Sequence, residues 1–480
     1  MASNELDGMQ FDLAVFGTGL EESIIASEAA AGGKSVLHVD RNPYYGGSNA
    51  CFSLSKMLEW AFCHRNSSQT PSVEVLVGGQ LTDAPTFVIS DVASDQHDMD
   101  TLKRLAPFEL SPESTEKLQE MLKNDRSYMI ELVPKVVFCR GELTEMLISC
   151  EIGEYVQFKG VADSYLARNG TIERIPESKE DIFASTSLSL IEKRKLMRLM
   201  TMVSDNTLYT HILDKYGDTQ FAQLLQDKFK LSGMLLDAVL YLIVRVNPSD
   251  TISTREGCER LHKYVKSIGR YGRMAYLCGM YGGGSEISQS FCRLCAVSGG
   301  TYILNEKIAA IESASENEFS VVLDHGTVRA KHIVMSPDYA STAVPKDHIV
   351  SRAICILDNT CLGADTTALA SYVDDSGVVS LLYVTHSTMV VPSGQSVLYG
   401  WVEGSLEETR SLLTSAIQTA IDSKASPLLS IFMETHELDV SETESRGIIV
   451  TRAPDSTVDL DSAALSAQHV VSTYFPSSSS

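Results

Sequence analysis

In "DLAVFGTGLEESIIASEAA" a short apolar strand runs into two closely spaced glycines and then a helix-like stretch, and a second apolar run, "SVLHVDRN", follows. This order outlines a nucleotide-binding βαβ unit: parallel strands need a crossover, and the glycine turn sets a helix N-terminus where a phosphate can rest. The fold class that follows is α/β, with a large FAD/NAD(P)-binding, flavoprotein-like domain.

The same loop argues against a cofactor. Gly17 and Gly19 occupy the first two glycine positions, but Glu22 stands where a dinucleotide site has its third. A carboxylate one turn inside the helix complements the dipole, repels a phosphate and fills the space a glycine leaves open, so we expect no bound cofactor. Asp40, 23 residues after Gly17, falls where a ribose-binding acid would sit. With the phosphate half of the site spoiled, it reads as a solvated strand-end acid capping the turn into Arg41-Asn42-Pro43. An FAD-dependent, amine-oxidase-like enzyme that tolerates Glu22 stays open as an alternative at this stage.

A net charge of -23, from 62 acidic and 39 basic residues, excludes unguided binding to nucleic acid or an anionic bilayer and suits a basic partner. The opening "MASNELDGMQ" has no apolar core flanked by basic residues, so no secretory signal is expected, and "MLLDAVLYLIV" is too short to span a bilayer. Ten cysteines over 480 residues, several in apolar runs, read as reduced thiols of a cytosolic protein. Cys292 and Cys295 form a lone CxxC among apolar neighbours and read as two core thiols. The 11 histidines are scattered, and neither a GxSxG elbow nor a P-loop lysine appears, so no catalytic constellation or metal site is expected.

Along the chain, residues 66–98 read as a polar excursion, "GELTEMLISCEI" has helical spacing, and Asn169-Gly170 marks a hairpin. From Pro176 to about Gly269 the apolar residues recur at three and four, which predicts a nearly continuous helical insert. Strand-like segments such as "GTYIL", "FSVVLDH" and "VVSLLYVTH" return afterwards, and "FPSSSS" is a loose tail. The expected division is a first part of the large domain over 1–172, a helical domain over 173–269, and the second part of the large domain over 270–480.

"FGTGLEESIIASEAAAGGKSVLHVDRNPYYGGS" and "GRYGRMAYLCGMYGGGSEISQSFCRLCAVSGGTYIL" resemble two long conserved blocks of the Rab GDP-dissociation inhibitor and Rab escort protein superfamily, where a glutamate after GTGL is the rule. The resemblance implies a platform for GDP-bound Rab GTPases, prenylated or not, made by Tyr45, Glu286 and Arg293, with Ile303 at a further position. It implies a mobile effector loop from Arg270 to Tyr276, here with Met274 and Ala275 in place of a small polar residue and a proline. It also implies transient membrane contact, and a prenyl group held between helices of the insert, against Leu224, Leu225, Leu235, Leu236, Val239 and Leu240. A lipid chain contributes roughly 0.8 kcal/mol per buried methylene there, although each of these residues also reads as the insert's own core. Escort members additionally dock Rab geranylgeranyltransferase through a phenylalanine and an arginine eleven residues apart. "DIFASTSLSLIEKRKLM" supplies Phe183 and Arg194 at that spacing. Together with "FCRLCAV", where inhibitors have "FARLSAI", this favours the escort branch over the inhibitor branch, although 480 residues is near inhibitor length.

Overall fold

The computed structural model describes residues 6–63, 73–77, 87–88, 112–315, 318–340, 344–363, 365–421, 424–439 and 447–476. The opening motif folds as its pattern demands: β1 (Gln10–Phe16), α1 (Leu20–Ala31) and β2 (Val36–Asp40), the two strands parallel with Leu13 opposite Val36. Both strands are almost wholly buried, as parallel strands covered on two faces should be. In their sheet the order is Thr301–Leu304, β2, β1, Gly326–Met335, Glu318–Leu323 and Ile308–Ser315, with Ile448–Val450 also paired to Gly326–Met335. Thr301–Leu304 is therefore an edge strand.

Small residues on α1, among them Ala26 and Ala29, let the helices Gly283–Val297 and Asp461–Tyr474 approach closely over one face of this sheet, around Ile24, Ile25, Phe291 and Ala464. A second, nine-stranded sheet runs from the hairpin Asp163–Arg168/Thr171–Ile175 through Ala368–Asp374, Gly377–Thr385, Ser396–Glu403, Val344–Leu357 and Pro427–Asp439 to Glu74–Val77 and Phe87–Val88. Its hairpin turns at Asn169 (φ 53°) and Gly170 (φ 74°), the pair of positive φ angles that a two-residue turn needs to match strand twist.

The helices of the insert are Lys179–Ala184, Leu190–Ser204, Asn206–Tyr216, Phe221–Asp227, Met234–Asp237, a π-helical stretch Ala238–Ile243, and Thr254–Ser267. They enclose their own core around Phe221, Leu225, Phe229 and Leu261. Continuity is broken at Gly233 (φ 57°) and between Val244 and Ser253. The helices Gly283–Val297, Leu406–Ile421 and Asp461–Tyr474 were not anticipated among the strand-like segments. Most of the 66–98 excursion and all of the "SSSS" tail lie outside the described residues. Among the described residues no helix is long and apolar enough to cross a membrane.

Candidate functional site

Gly17 closes the turn after β1 at φ 105°, a conformation side chains rarely adopt, and a Cβ there would meet Ser336 Cβ at 3.0 Å. At Gly19, the residue before α1, a Cβ would collide with Oε2 of Glu22. Glu22 thus occupies the mouth of the helix. Its carboxyl accepts the Thr451 hydroxyl and is fully buried, which pushes its pKa up to about 8, with neighbouring Glu21 adding to the shift. Glu21, bonded to Ser466 and the Arg452 amide, is itself raised to about 7 by burial. Burial thus favours the neutral form of Glu22, and its carboxyl blocks the turn by filling it. The position a pyrophosphate would need is taken by this carboxyl and by Gly47, whose Cβ would lie 3.3 Å from the Gly19 amide. A dinucleotide cofactor does not fit, although a cavity of about 450 Å³ persists beside the turn.

Asp40 also differs from expectation. It is buried, and accepts bonds from Thr18 Oγ1 (2.6 Å), the Asn42 amide (2.8 Å) and the Tyr339 hydroxyl (3.0 Å), because the chain folds back over the strand end and excludes water. Thr18 Oγ1 in turn accepts the Gly46 amide at 3.1 Å, and His38 Nε2 donates to the Gly17 carbonyl at 2.6 Å. Asp40 and Thr18 together hold the YYGG turn in place.

That turn presents Tyr45, half-buried and stacked on Tyr302 with ring centroids 5.6 Å apart and planes 4° apart. Glu286 and Arg293 lie two turns apart on Gly283–Val297, so they share one face; Arg293 is exposed, with its guanidinium 4.3 Å from the centre of the Tyr155 ring. Glu286 is half-buried, and burial raises its pKa. Neither has an ion-pair partner among the described residues, which leaves both charges available. Next to Arg293, Tyr155 and Val297 are exposed apolar residues with no motif in the sequence to mark them. Ile303 is not brought into this group. Strand alternation turns Tyr302 toward His38 on the helix-covered face and Ile303 toward the opposite core, with Phe16, Leu37 and Val39.

The two ends of the expected effector loop lie in different surroundings. Arg270 is ion-paired to Glu145, with a second bond at 3.2 Å, and Arg273 reaches Asp181 of the insert at 3.5 Å. Tyr276, by contrast, opens the strand Tyr276–Gly279 and is buried against Phe138 and Tyr264 at ring-centre distances of 4.5 and 5.8 Å. It is a core residue, because its strand pairs on both sides, with Val137–Phe138 and Phe158–Gly160.

Leu224, Leu225, Leu235, Leu236, Val239 and Leu240 are all buried in the insert's core. The expected lipid-lining stripe is closed by helix–helix packing. Phe183, however, is not core: it is 66 % exposed on Lys179–Ala184, and its carbonyl accepts Lys193 Nζ at 2.9 Å. Leu190 (82 %) and Ile191 (68 %) are exposed at the start of the next helix, and Arg194 is exposed one turn on. A capping box between Ser189 and Glu192 fixes that helix start. Sequence periodicity could not reveal these two apolar residues as exposed, since they look like any others entering a helix. Cys292 and Cys295 are buried, Cys292 Sγ lies 3.2 Å from Ser23 Oγ, and burial pushes the thiols up to about 12 and about 11.

The chain is 29 % identical over 482 residues to the Rab proteins geranylgeranyltransferase component A of Drosophila melanogaster, covering 97 % of this chain and 89 % of that one. Among solved structures, a Rab GDI from Plasmodium falciparum superposes with a TM-score of 0.71 at 19 % identity, over 98 % of this chain and 99 % of that one. An oxidoreductase from Methanosarcina mazei, at a TM-score of 0.55 and 12 % identity over 97 % of this chain and all of that one (100 %), shares the fold. The nucleotide-binding skeleton is thus a flavoprotein-like one whose phosphate seat is filled. Since the GDP dissociation inhibitor family matches residues 6–73 and 101–373, more than half of the sequence, the chain belongs to that family.

Proposed function

We propose that the chain is a Rab escort protein, which binds GDP-bound Rab GTPases, presents them to Rab geranylgeranyltransferase and carries the prenylated product from the cytosol to membranes without catalysing a step itself. The 29 %-identical relative named as component A of the transferase supports this reading. The plugged glycine turn gives the large domain no seat for a redox cofactor, and Glu286 and Arg293, on one helix face and without an ion-pair partner among the described residues, suit a protein partner. Tyr45, Glu286 and Arg293 form the GTPase platform, without Ile303, which packs into the core on the other face of its strand. A prenyl chain enters the insert by parting the leucine contacts made by Leu224, Leu225, Leu235, Leu236, Val239 and Leu240.

One observation carries the escort assignment over the inhibitor one: Phe183, Leu190, Ile191 and Arg194 are all exposed, and Lys193, the residue before Arg194, reaches the Phe183 carbonyl at 2.9 Å. An aromatic anchor with an arginine neighbour is a frequent hot-spot composition. A pull-down with purified transferase tests it. Wild-type protein is expected to capture the transferase, and Phe183→Ala to lose it, at a cost of roughly 2 kcal/mol or more. Capture of Rab with no affinity for the transferase would replace the escort reading with that of a GDP-dissociation inhibitor.

A further inference from the structure

Arg293 is exposed on Gly283–Val297, and no carboxylate lies within ion-pair distance of it among the described residues. An arginine left free in such a place samples many rotamers, and ordering it when a partner binds costs affinity. Here one contact restrains it beforehand: the guanidinium carbon lies over the ring of Tyr155, 4.3 Å from its centre. Tyr155 is 49 % exposed, so the pair stands at the surface.

The ring can restrain a neighbour only because its own backbone is held on both flanks. The Tyr155 amide donates to the Ile152 carbonyl at 3.0 Å, which closes a tight turn. Ile152 and Val156, at either side of the ring, are buried in one core with Phe291 and Cys295, inward residues of the helix that carries Arg293. Just beyond, the Gln157 carbonyl accepts the Met280 amide at 2.9 Å, and Phe158–Gly160 pairs with Tyr276–Gly279. The turn that carries the ring and the helix that carries the guanidinium are thus fixed to the same core.

We propose that Tyr155 is a positioning residue of the GTPase platform, its ring holding the Arg293 guanidinium in place for a carboxylate on the GTPase; this rests on the Rab-binding reading above. A ring does this differently from an acid. A neighbouring carboxylate would take up N–H donors and neutralise the charge, whereas a ring attracts the cation through its negative face and leaves the donors at the guanidinium edge unused. Those donors then serve the bidentate pairing that arginine makes with a carboxylate. The phenol hydroxyl plays no part in such a contact, so the ring alone is required.

Two measurements on the full chain test this, one of them without a partner. In the NMR spectrum of protein with isotope-labelled arginine, the Arg293 Nε–Hε signal, identified by its loss in Arg293→Ala, is expected upfield of those of exposed arginines through the ring current. It should move back in Tyr155→Ala and stay in Tyr155→Phe. In titrations with a GDP-loaded Rab GTPase, Tyr155→Ala should raise the Kd by about two- to fivefold, the range of an exposed cation–ring contact, and Tyr155→Phe should restore it. In the Arg293→Ala background Tyr155→Ala should bring no further loss, since the two residues act as one unit. Should Tyr155→Ala fail to fold, the wild-type signal and Tyr155→Phe decide. A wild-type Arg293 signal among those of exposed arginines, a loss in Tyr155→Phe equal to that in Tyr155→Ala, or an undiminished loss in the Arg293→Ala background, the mark of Tyr155 touching the GTPase itself, would each overturn the role. Wild-type protein that binds no GDP-loaded Rab would instead remove the Rab-binding reading, and the signal would then decide by itself whether the ring holds the guanidinium.

Discussion

Glu22 shows how one residue can convert a cofactor fold to another use. Its folded pKa, about 8, stands above the ordinary 4.5 because burial favours the neutral form. A raised pKa gives stability that is fully present below 4.5 and is lost as pH rises through about 8, since the unfolded chain releases the proton first. His38, buried and lowered from 6.5 to about 4, works in the opposite direction, but its contribution changes only below 6.5. Above pH 6.5 the raised acids act together: Glu22, and Glu21, Glu131 and Glu177, each pushed up to about 7 by burial. We predict that the melting temperature of the wild-type protein falls between pH 6.5 and 8.5, and that Glu22→Gln, which fills the same space without titrating, shows a shallower fall. Differential scanning fluorimetry across that interval measures both slopes, and equal slopes would mean that Glu22 is already ionised in the folded protein.

At the scale of elements, the insert is held by close helix contacts rather than by an open lipid groove. Gly257 on Thr254–Ser267 faces the root of the Phe221 ring so closely that any Cβ would collide with it. Alanine normally favours a helix over glycine by about 1 kcal/mol. Here the clash reverses the sign, because the ring atoms nearest the backbone cannot swing away. Gly257→Ala is predicted to destabilise the protein by about 1–3 kcal/mol in urea denaturation, the usual cost of overpacking. A stabilised variant would show that the two helices are looser than their packing implies. The same contacts explain what the sequence could and could not disclose. The β1–α1–β2 unit, the Asn169-Gly170 turn and the helical insert are written in local periodicity and turn chemistry, which one segment carries by itself. The burial of Asp40, the closure of the leucine stripe and the core role of Tyr276 depend on what another segment lays over them: Tyr339, Leu261 and Phe138 respectively. The exposure of Leu190 and Ile191 is likewise set by the absence of a covering element, which no periodicity records.

For the whole molecule, the proposed platform and docking surface sit on different structural units, Arg293 on a helix against the central parallel sheet and Phe183 on the insert. The segment after Thr254–Ser267 touches both, through Arg270 with Glu145 and Arg273 with Asp181, and Asp181 lies two residues before Phe183. Each ion pair has one exposed member, Glu145 or Arg273, and such pairs contribute little individually, so the two surfaces should act independently. Arg293→Ala is predicted to weaken Rab binding more than tenfold, since losing one member of a charged interface pair commonly costs 2–5 kcal/mol, roughly. Phe183→Ala should remove transferase capture, and in the double variant each loss should match its single-variant value within about 0.5 kcal/mol. Presentation further requires both surfaces on one chain. An equimolar mixture of Phe183→Ala and Arg293→Ala proteins, each retaining one partner, is therefore expected to leave Rab unprenylated in a reconstituted assay. Restored prenylation in that mixture would mean that the GTPase reaches the transferase without being carried there by this protein.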